Sequence, residues 1–307
     1  MTQSIGIVVS ERIAAARVSE NKVCGSPRTY PEDESITDAL LGVPAEDIIG
    51  RIAELVRGLG LTAAPDYVGL GMPGILRNGV AEDSPNLVQF KGVNVKALLT
   101  AALEPIFGRV PVAVFNDADV MAAGIAARHG HLKRLIRVWT LGNGIGYGRY
   151  PSKEGVWEAG HSIVMLDPKE RFCGCGGLGH LEGVMGNRAM RLRFMDLEPE
   201  EIFAQAAAGE ARCVDFVKLW HRALAAGTAT SIHLDGPGKF YVTGHNARFV
   251  SLPLLREYLL EMVKLSPLQQ YHVEVVPGGE LVAIAGAAVN ARQATERESA
   301  RSRGSAV

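Results

Sequence analysis

Cysteine is scarce in this sequence. Four cysteines in 307 residues are too few to staple a chain of this size by disulfides, and their scarcity suits the reducing cytoplasm. Neither sign of charge dominates. The 32 Lys and Arg nearly cancel the 33 Asp and Glu, leaving a formal charge of −1. That balance offers no basic field for nucleic acid and no acidic field for a cationic partner. No apolar run reaches the roughly 18 residues of a membrane span. The N-terminus also lacks the basic region, apolar stretch and small-residue cleavage site of a secretory signal. The expectation is a cytoplasmic protein with no nucleic-acid and no membrane partner.

Apolar residues make up 47% and charged residues 21% of the chain, the balance of a globular protein. Its length suits two compact lobes better than one core. Residues 4–9 and 12–19 read as strands around a tight Ser10-Glu11 turn, followed by a loop over Pro27–Glu34. Ile48, Ile49, Ile52, Leu55 and Val56 recur at helical spacing within 44–59. Tyr67–Leu70 reads as a buried strand ending in a Gly71-Met72-Pro73-Gly74 turn, and 94–107 as a helix. Val112–Phe115 is a strand running into Asn116-Asp117, with a helix over Asp117–Arg128. Leu135–Leu141 is a strand and Gly142–Gly148 a Gly-rich turn. Helices follow at 199–208, 211–226, 251–263 and 283–294, with strands near 240–243 and 272–276. A disordered tail is expected over 296–307. Alternating strands and helices mean an α/β fold.

The densest chemistry lies between His161 and His180, where Cys173-Gly174-Cys175 sits in a Gly-rich segment. Two thiolates and two imidazoles, from His161, Cys173, Cys175 and His180, make a complete tetrahedral set for structural zinc. The competing reading is two buried cysteines with histidines nearby by chance. Cys24 and Cys213 stand alone and read as small buried apolar side chains, not reactive thiols.

Asn116-Asp117 ends an apolar strand, the position where open α/β sheets present ligand-binding groups. A carboxylate there can act as a general base on a hydroxyl; the alternative is a helix cap. Glu158 and Glu182 flank the Cys/His segment, so a metal there would fix two carboxylates for a polyhydroxylated ligand. Gly142-Asn143-Gly144-Ile145-Gly146 supplies closely spaced backbone amides able to cradle an anion, but matches neither the P-loop nor the dinucleotide pattern.

With these residues in view, the chain resembles the ROK (repressor, open reading frame, kinase) family of sugar kinases and sugar-responsive regulators. Four blocks carry the resemblance: Gly71–Gly74 with Ser84-Pro85-Asn86-Leu87; Asn116-Asp117-Ala118; Glu158-Ala159-Gly160-His161; and Cys173 to Glu182. The resemblance implies an actin-like, ribonuclease-H-like two-lobe α/β fold with an inter-lobe cleft and a zinc clip, in a homodimer or higher homo-oligomer. It implies a small lobe over 1–117, rejoined by the last helix near 280–295, and a large lobe over 118–279. By position, Asp117 resembles the catalytic base, and Asn86, Asn116, Glu158, His161 and Glu182 resemble the sugar contacts. His161, Cys173, Cys175 and His180 resemble the zinc ligands. Gly142, Asn143, Gly144, Gly146 and Gly244 fall on the nucleotide side, where magnesium and ATP would bind.

The departures are specific. His180 stands where the family has a third cysteine, and Asp119 where it has Asn. The family's Asp-x-Gly-Gly-Thr phosphate loop should fall at Val8–Arg12, and none of its residues is present. Asn143 replaces the usual Thr, and Gly244-His245 the usual Gly-Gly. Two functions follow as expectations: an ATP-dependent carbohydrate kinase, or a sugar-binding or sugar-processing protein that works without ATP.

Overall fold

The computed structural model describes residues 3–304 apart from 34, 37, 154, 156, 157 and 265–269, with backbone only at 301–304. The chain divides into two compact units. The first comprises residues 1–134, 148–156 and 278–307, and the second comprises 135–147 and 157–277.

The first unit is built on a five-stranded sheet. Strands β1 (Gln3–Val9), β2 (Ile13–Ser19) and β3 (Lys22–Tyr30) form an antiparallel meander, and β4 (Tyr67–Met72) and β7 (Val112–Asn116) extend it in parallel. The order is β3-β2-β1-β4-β7. One face packs on α1 (Ala45–Arg57) and α2 (Val95–Phe107), where Ile5, Ile7, Ile48, Ile52, Val56, Leu99 and Leu103 are all buried. Burying each such side chain contributes about 2 kcal/mol. Ala14, Ala16 and Val18 bury Ile284 and Ala288 of α9 (Glu280–Gly304), and Val120 of α3 (Asp117–Arg128) packs on Ala283 and Ala287 of the same helix.

The second unit is built on a four-stranded sheet in the order β11-β10-β8-β9, formed by β8 (Ile136–Leu141), β9 (Ile145–Tyr150, whose residues from Gly148 on count with the first unit), β10 (Lys239–Thr243) and β11 (His272–Val275). Helices α4 (Glu182–Met185), α5 (Asn187–Arg193), α6 (Pro199–Ala207), α7 (Ala211–Asp235) and α8 (Leu252–Met262) complete it. Trp139, Trp220, Leu224, Phe240 and Leu259 are fully buried in its core.

Several expectations need correction. Cys24, expected to be buried, is exposed on the edge strand β3, while Cys213 is buried as expected. The expected loop over 27–34 begins inside β3, an edge strand whose exposed, polar side chains show no buried alternation. Pro27 fits there because an edge strand need not donate at every residue. A small hairpin, β5 (Ile75–Arg77) with β6 (Val80–Asp83), follows the Gly71–Gly74 segment. Only residues 142–144 remain a turn, since Ile145–Tyr150 forms β9 with buried Tyr147 and Tyr150. The expected tail from 296 is helical to Gly304, and 305–307 lie outside the described residues. Ala, Glu and Arg are strong helix formers; Arg292 pairs with Glu296 at i,i+4, and Arg297 donates to the Ser152 carbonyl at 2.8 Å. The boundary at 117/118 moves to 134/135, because α3 is packed on α9 and so belongs with the first sheet.

Candidate active site and metal site

In the first unit, Asn116 ends β7 and caps α3. Its side-chain oxygen accepts the Ala118 N–H at 2.8 Å, and its amide nitrogen donates to the Gly74 carbonyl at 3.0 Å. The buried Ser84 hydroxyl donates to the Pro73 carbonyl at 3.0 Å. Two of the four sequence blocks therefore meet: 71–74 with 84–87, and 116–118. The capping role falls to Asn116, leaving Asp117 exposed as the first residue of α3, where the helix dipole favours a carboxylate. Asp117 Oδ1 also accepts the Ala118 N–H at 2.9 Å. Asn86 is exposed on the segment after Ser84.

In the second unit, His161 ends a short 3-10 turn, Ala159–His161, just after the exposed Glu158. An isolated bridge pairs Ile163 with His180, and Leu181 N–H donates to the Ser162 carbonyl at 2.9 Å. This short antiparallel zipper brings residues far apart in sequence together, with the His161 and His180 rings stacked at 5.0 Å. Cys173 Sγ lies 3.4 Å from Cys175 Sγ, which lies 3.2 Å from His180 Nδ1. All four candidate ligand atoms fall within 4.8 Å of one another. Metal bonds of 2.0–2.3 Å give tetrahedral edges of about 3.3–3.8 Å, so the group can hold a metal with small adjustments. A Cβ on Gly177 would come within 2.0 Å of the His180 ring, so only glycine leaves room for that ligand.

The electrostatics agree with this donor set. Burial pushes the Cys173 thiol up to about 12; the Cys175 backbone N–H works against the rise, while the Cys175 thiol and Glu182 add to it. A thiolate there needs a compensating cation. Burial and the adjacent His161 lower the His180 pKa, favouring the neutral imidazole that a ligand must be. The loop is pinned from outside by Arg193, whose guanidinium pairs with Glu170 at 2.5 and 3.0 Å and lies over the Phe172 ring.

Glu182 follows this group. Its Oε2 accepts the Ile145 N–H at 3.0 Å, while its Oε1 lies 3.5 Å from Cys173 Sγ and 4.0 Å from His161 Nε2. One carboxylate thus lies beside both the Cys/His group and the first residue of β9, just after the glycine turn. That turn is held by side-chain amides. Asn187 donates to Asn143 at 3.1 Å, and the fully buried Asn246 donates to Asn187 at 2.6 Å and to the Gly142 carbonyl at 3.3 Å. Gly146 sits inside β9, and Gly244 follows β10 with φ of 95°, packed against Leu141. His245 beyond it is exposed, alongside Arg248 and Glu200.

A ROK family model matches residues 41–293. The chain belongs to the ROK family. It is 30% identical to a glucokinase of Thermotoga maritima over 287 residues, covering 82% of this chain and 87% of that one. A Pyrobaculum calidifontis glucokinase is 33% identical over 211 residues, 64% of this chain and 67% of the relative. Among solved structures, the ROK hexokinase of Thermus thermophilus aligns with a TM-score of 0.72 at 22% identity, covering 96% of this chain and all of that one. A ROK glucokinase of Streptomyces griseus, solved with glucose and AMPPNP, aligns at 0.66 and 24% identity over 95% and 99%. The fold is therefore the α/β actin-like fold of ROK proteins.

Sequence reasoning missed three features of this ROK protein. The Asn187–Asn246 amide chain and the Glu182–Ile145 contact join residues far apart in sequence, with no local pattern to reveal them. Asp119 was noted only as a departure. It is half-buried, accepts the Arg149 N–H at 2.9 Å, and burial raises its pKa to about 6. The missing phosphate loop is a three-residue connection, Ser10–Arg12, in which Arg12 forms a two-bond ion pair with Glu280 at 2.7 and 3.0 Å.

Proposed function

We propose that this chain is an ATP-dependent hexose kinase, with glucose the first sugar to test. Its kinship along most of its length with the Thermotoga glucokinase carries the reading. Asp117 takes the proton of the attacking sugar hydroxyl, a step that needs an exposed, ionised carboxylate within reach of that hydroxyl. Asn86, Asn116, Glu158, His161 and Glu182 orient the sugar. Backbone amides around Gly142, Asn143, Gly144 and Gly146 hold the phosphates of magnesium-ATP, with Gly244 on the adenosine side. His161, Cys173, Cys175 and His180 would hold zinc, a structural ion that would tie His161 to the cysteine segment. We further propose a cytoplasmic homodimer or higher homo-oligomer, checked by light scattering.

Purified protein with magnesium-ATP and a panel of hexoses, amino sugars and N-acetyl sugars should yield one sugar phosphate by mass spectrometry. Asp117→Asn should lower kcat by about 10²- to 10⁴-fold, the usual worth of a general base, with an unchanged melting temperature. An unchanged rate would remove Asp117 from the mechanism.

A second reading is sugar binding or sugar chemistry without ATP. It is favoured by the Ser10–Arg12 connection, which has no glycine and keeps Arg12 paired with Glu280. The same experiment separates the two. Protein that a sugar stabilises against heat, but that binds no magnesium-ATP and makes no product, supports this second reading.

A further inference from the structure

The Glu182 carboxylate faces two ways. Its Oε2 takes the Ile145 N–H at 3.0 Å, one of the backbone donors that the glycine turn could offer a phosphate. A Cβ on Gly144 would sit 2.7 Å from the same oxygen, so the missing side chain is what lets the carboxylate lie against the turn. Glu182 therefore occupies a donor of the anion cradle and places a negative charge beside it. Phosphate oxygens would meet both a hydrogen bond to break and a like charge to oppose. The carboxylate is also only partly buried, with 24% of its side chain exposed, so a hydroxylated ligand can reach it.

We infer that Glu182 plugs the glycine turn of the sugar-free protein and releases the Ile145 amide to the phosphoryl donor when a sugar hydroxyl engages its carboxylate. The inference rests on the kinase reading. It makes one residue both a sugar contact and a brake on donor binding, so ATP bound without sugar is held weakly and its idle hydrolysis is suppressed. Removing a sugar-binding residue should then strengthen binding of the other substrate, an outcome that a merely structural role would not produce.

The test is calorimetric titration with the magnesium complex of a non-hydrolysable ATP analogue, with and without the sugar that the wild type phosphorylates. In the wild type, sugar should tighten analogue binding about tenfold, the size of one charge-assisted hydrogen bond. Glu182→Ala should bind the analogue without sugar about tenfold more tightly than sugar-free wild type, and added sugar should change nothing. Glu182→Gln keeps an oxygen for Ile145 but loses the charge, so its gain should be smaller, about threefold. This variant carries the test if the alanine variant fails to fold. Equal analogue affinity with and without sugar in a wild type that makes sugar phosphate would overturn the inference alone. So would variants that bind the analogue no better than sugar-free wild type. A wild type that neither makes product nor binds the analogue with sugar would overturn the kinase reading, and this inference with it.

Discussion

The Cys173–His180 segment and the Ser10–Arg12 connection are both short excursions from regular structure, and both depart from the ROK pattern. In the first, a histidine replaces a cysteine, yet the four ligand atoms still converge within 4.8 Å. In the second, the glycines and the acidic residue are gone, and a hairpin tip with an Arg12–Glu280 pair remains. A metal site depends on donor atoms at a set separation, and imidazole can stand in for thiolate. A phosphate loop depends on backbone amides approaching an anion, and side chains on that backbone obstruct the approach. Exchanging one donor atom for another keeps the chemistry of a side-chain site, whereas adding side chains removes the close approach that a backbone site needs.

Four experiments would break or sharpen this comparison. The largest effect is expected from Cys173→Ser. It should abolish stoichiometric metal by elemental analysis and lower the melting temperature by many degrees, because metal-binding energy is folding energy in such loops. Wild-type protein without metal, and with Cys173 readily alkylated, would leave the segment without its chemistry. Next is Arg193→Met, which strands Glu170, a residue with 12% of its side chain exposed. Leaving a buried charge unpaired costs about 3 kcal/mol, readable by urea denaturation. A loss below about 1 kcal/mol would mean that the loop holds its shape without this brace.

The third concerns pH. Burial holds the folded-state pKa of Asp119 at about 6, above the ordinary aspartate value of 3.8. The folded state therefore binds the proton more tightly than the unfolded chain does. Its contribution is fully present below the unfolded pKa and is lost as pH rises through about 6. Asp119→Asn, the residue usual in the family, should stabilise the protein at pH 7 by about 2 kcal/mol. That gain should shrink as pH falls from 7 to 4, and a gain independent of pH would rule out titration as its source. The smallest effect is expected from Arg12→Ala. Its pair with Glu280 is about one-fifth exposed on each side, so the loss should be about 1 kcal/mol with no change in the KM for ATP. A raised KM would return a donor-binding role to the hairpin and narrow the contrast drawn above.

The sequence by itself determined a good deal. Helical spacing in 44–59 marked α1, and the strand-to-helix transition at Asn116-Asp117 fell where the structure puts it. The Cys/His cluster was visible because thiols and imidazoles are rare enough that their grouping carries information. Such signals are local: one element's periodicity, or reactive side chains packed into a few residues. The edge strand β3 was missed because its exposed face has no apolar alternation, and α9 ran past the expected tail because pairs along and beyond the helix hold it.

Only the tertiary structure decided how distant residues are used. It gave the cap to Asn116 and left Asp117 exposed, and it zipped Ile163 to His180 so that His161 reaches the cysteines. It also turned Glu182 onto the Ile145 amide and paired Arg12 with Glu280. The physical reason is that hydrogen bonds and ion pairs act over a few ångströms of space. Sequence separation does not encode which groups the packed core will bring within that range.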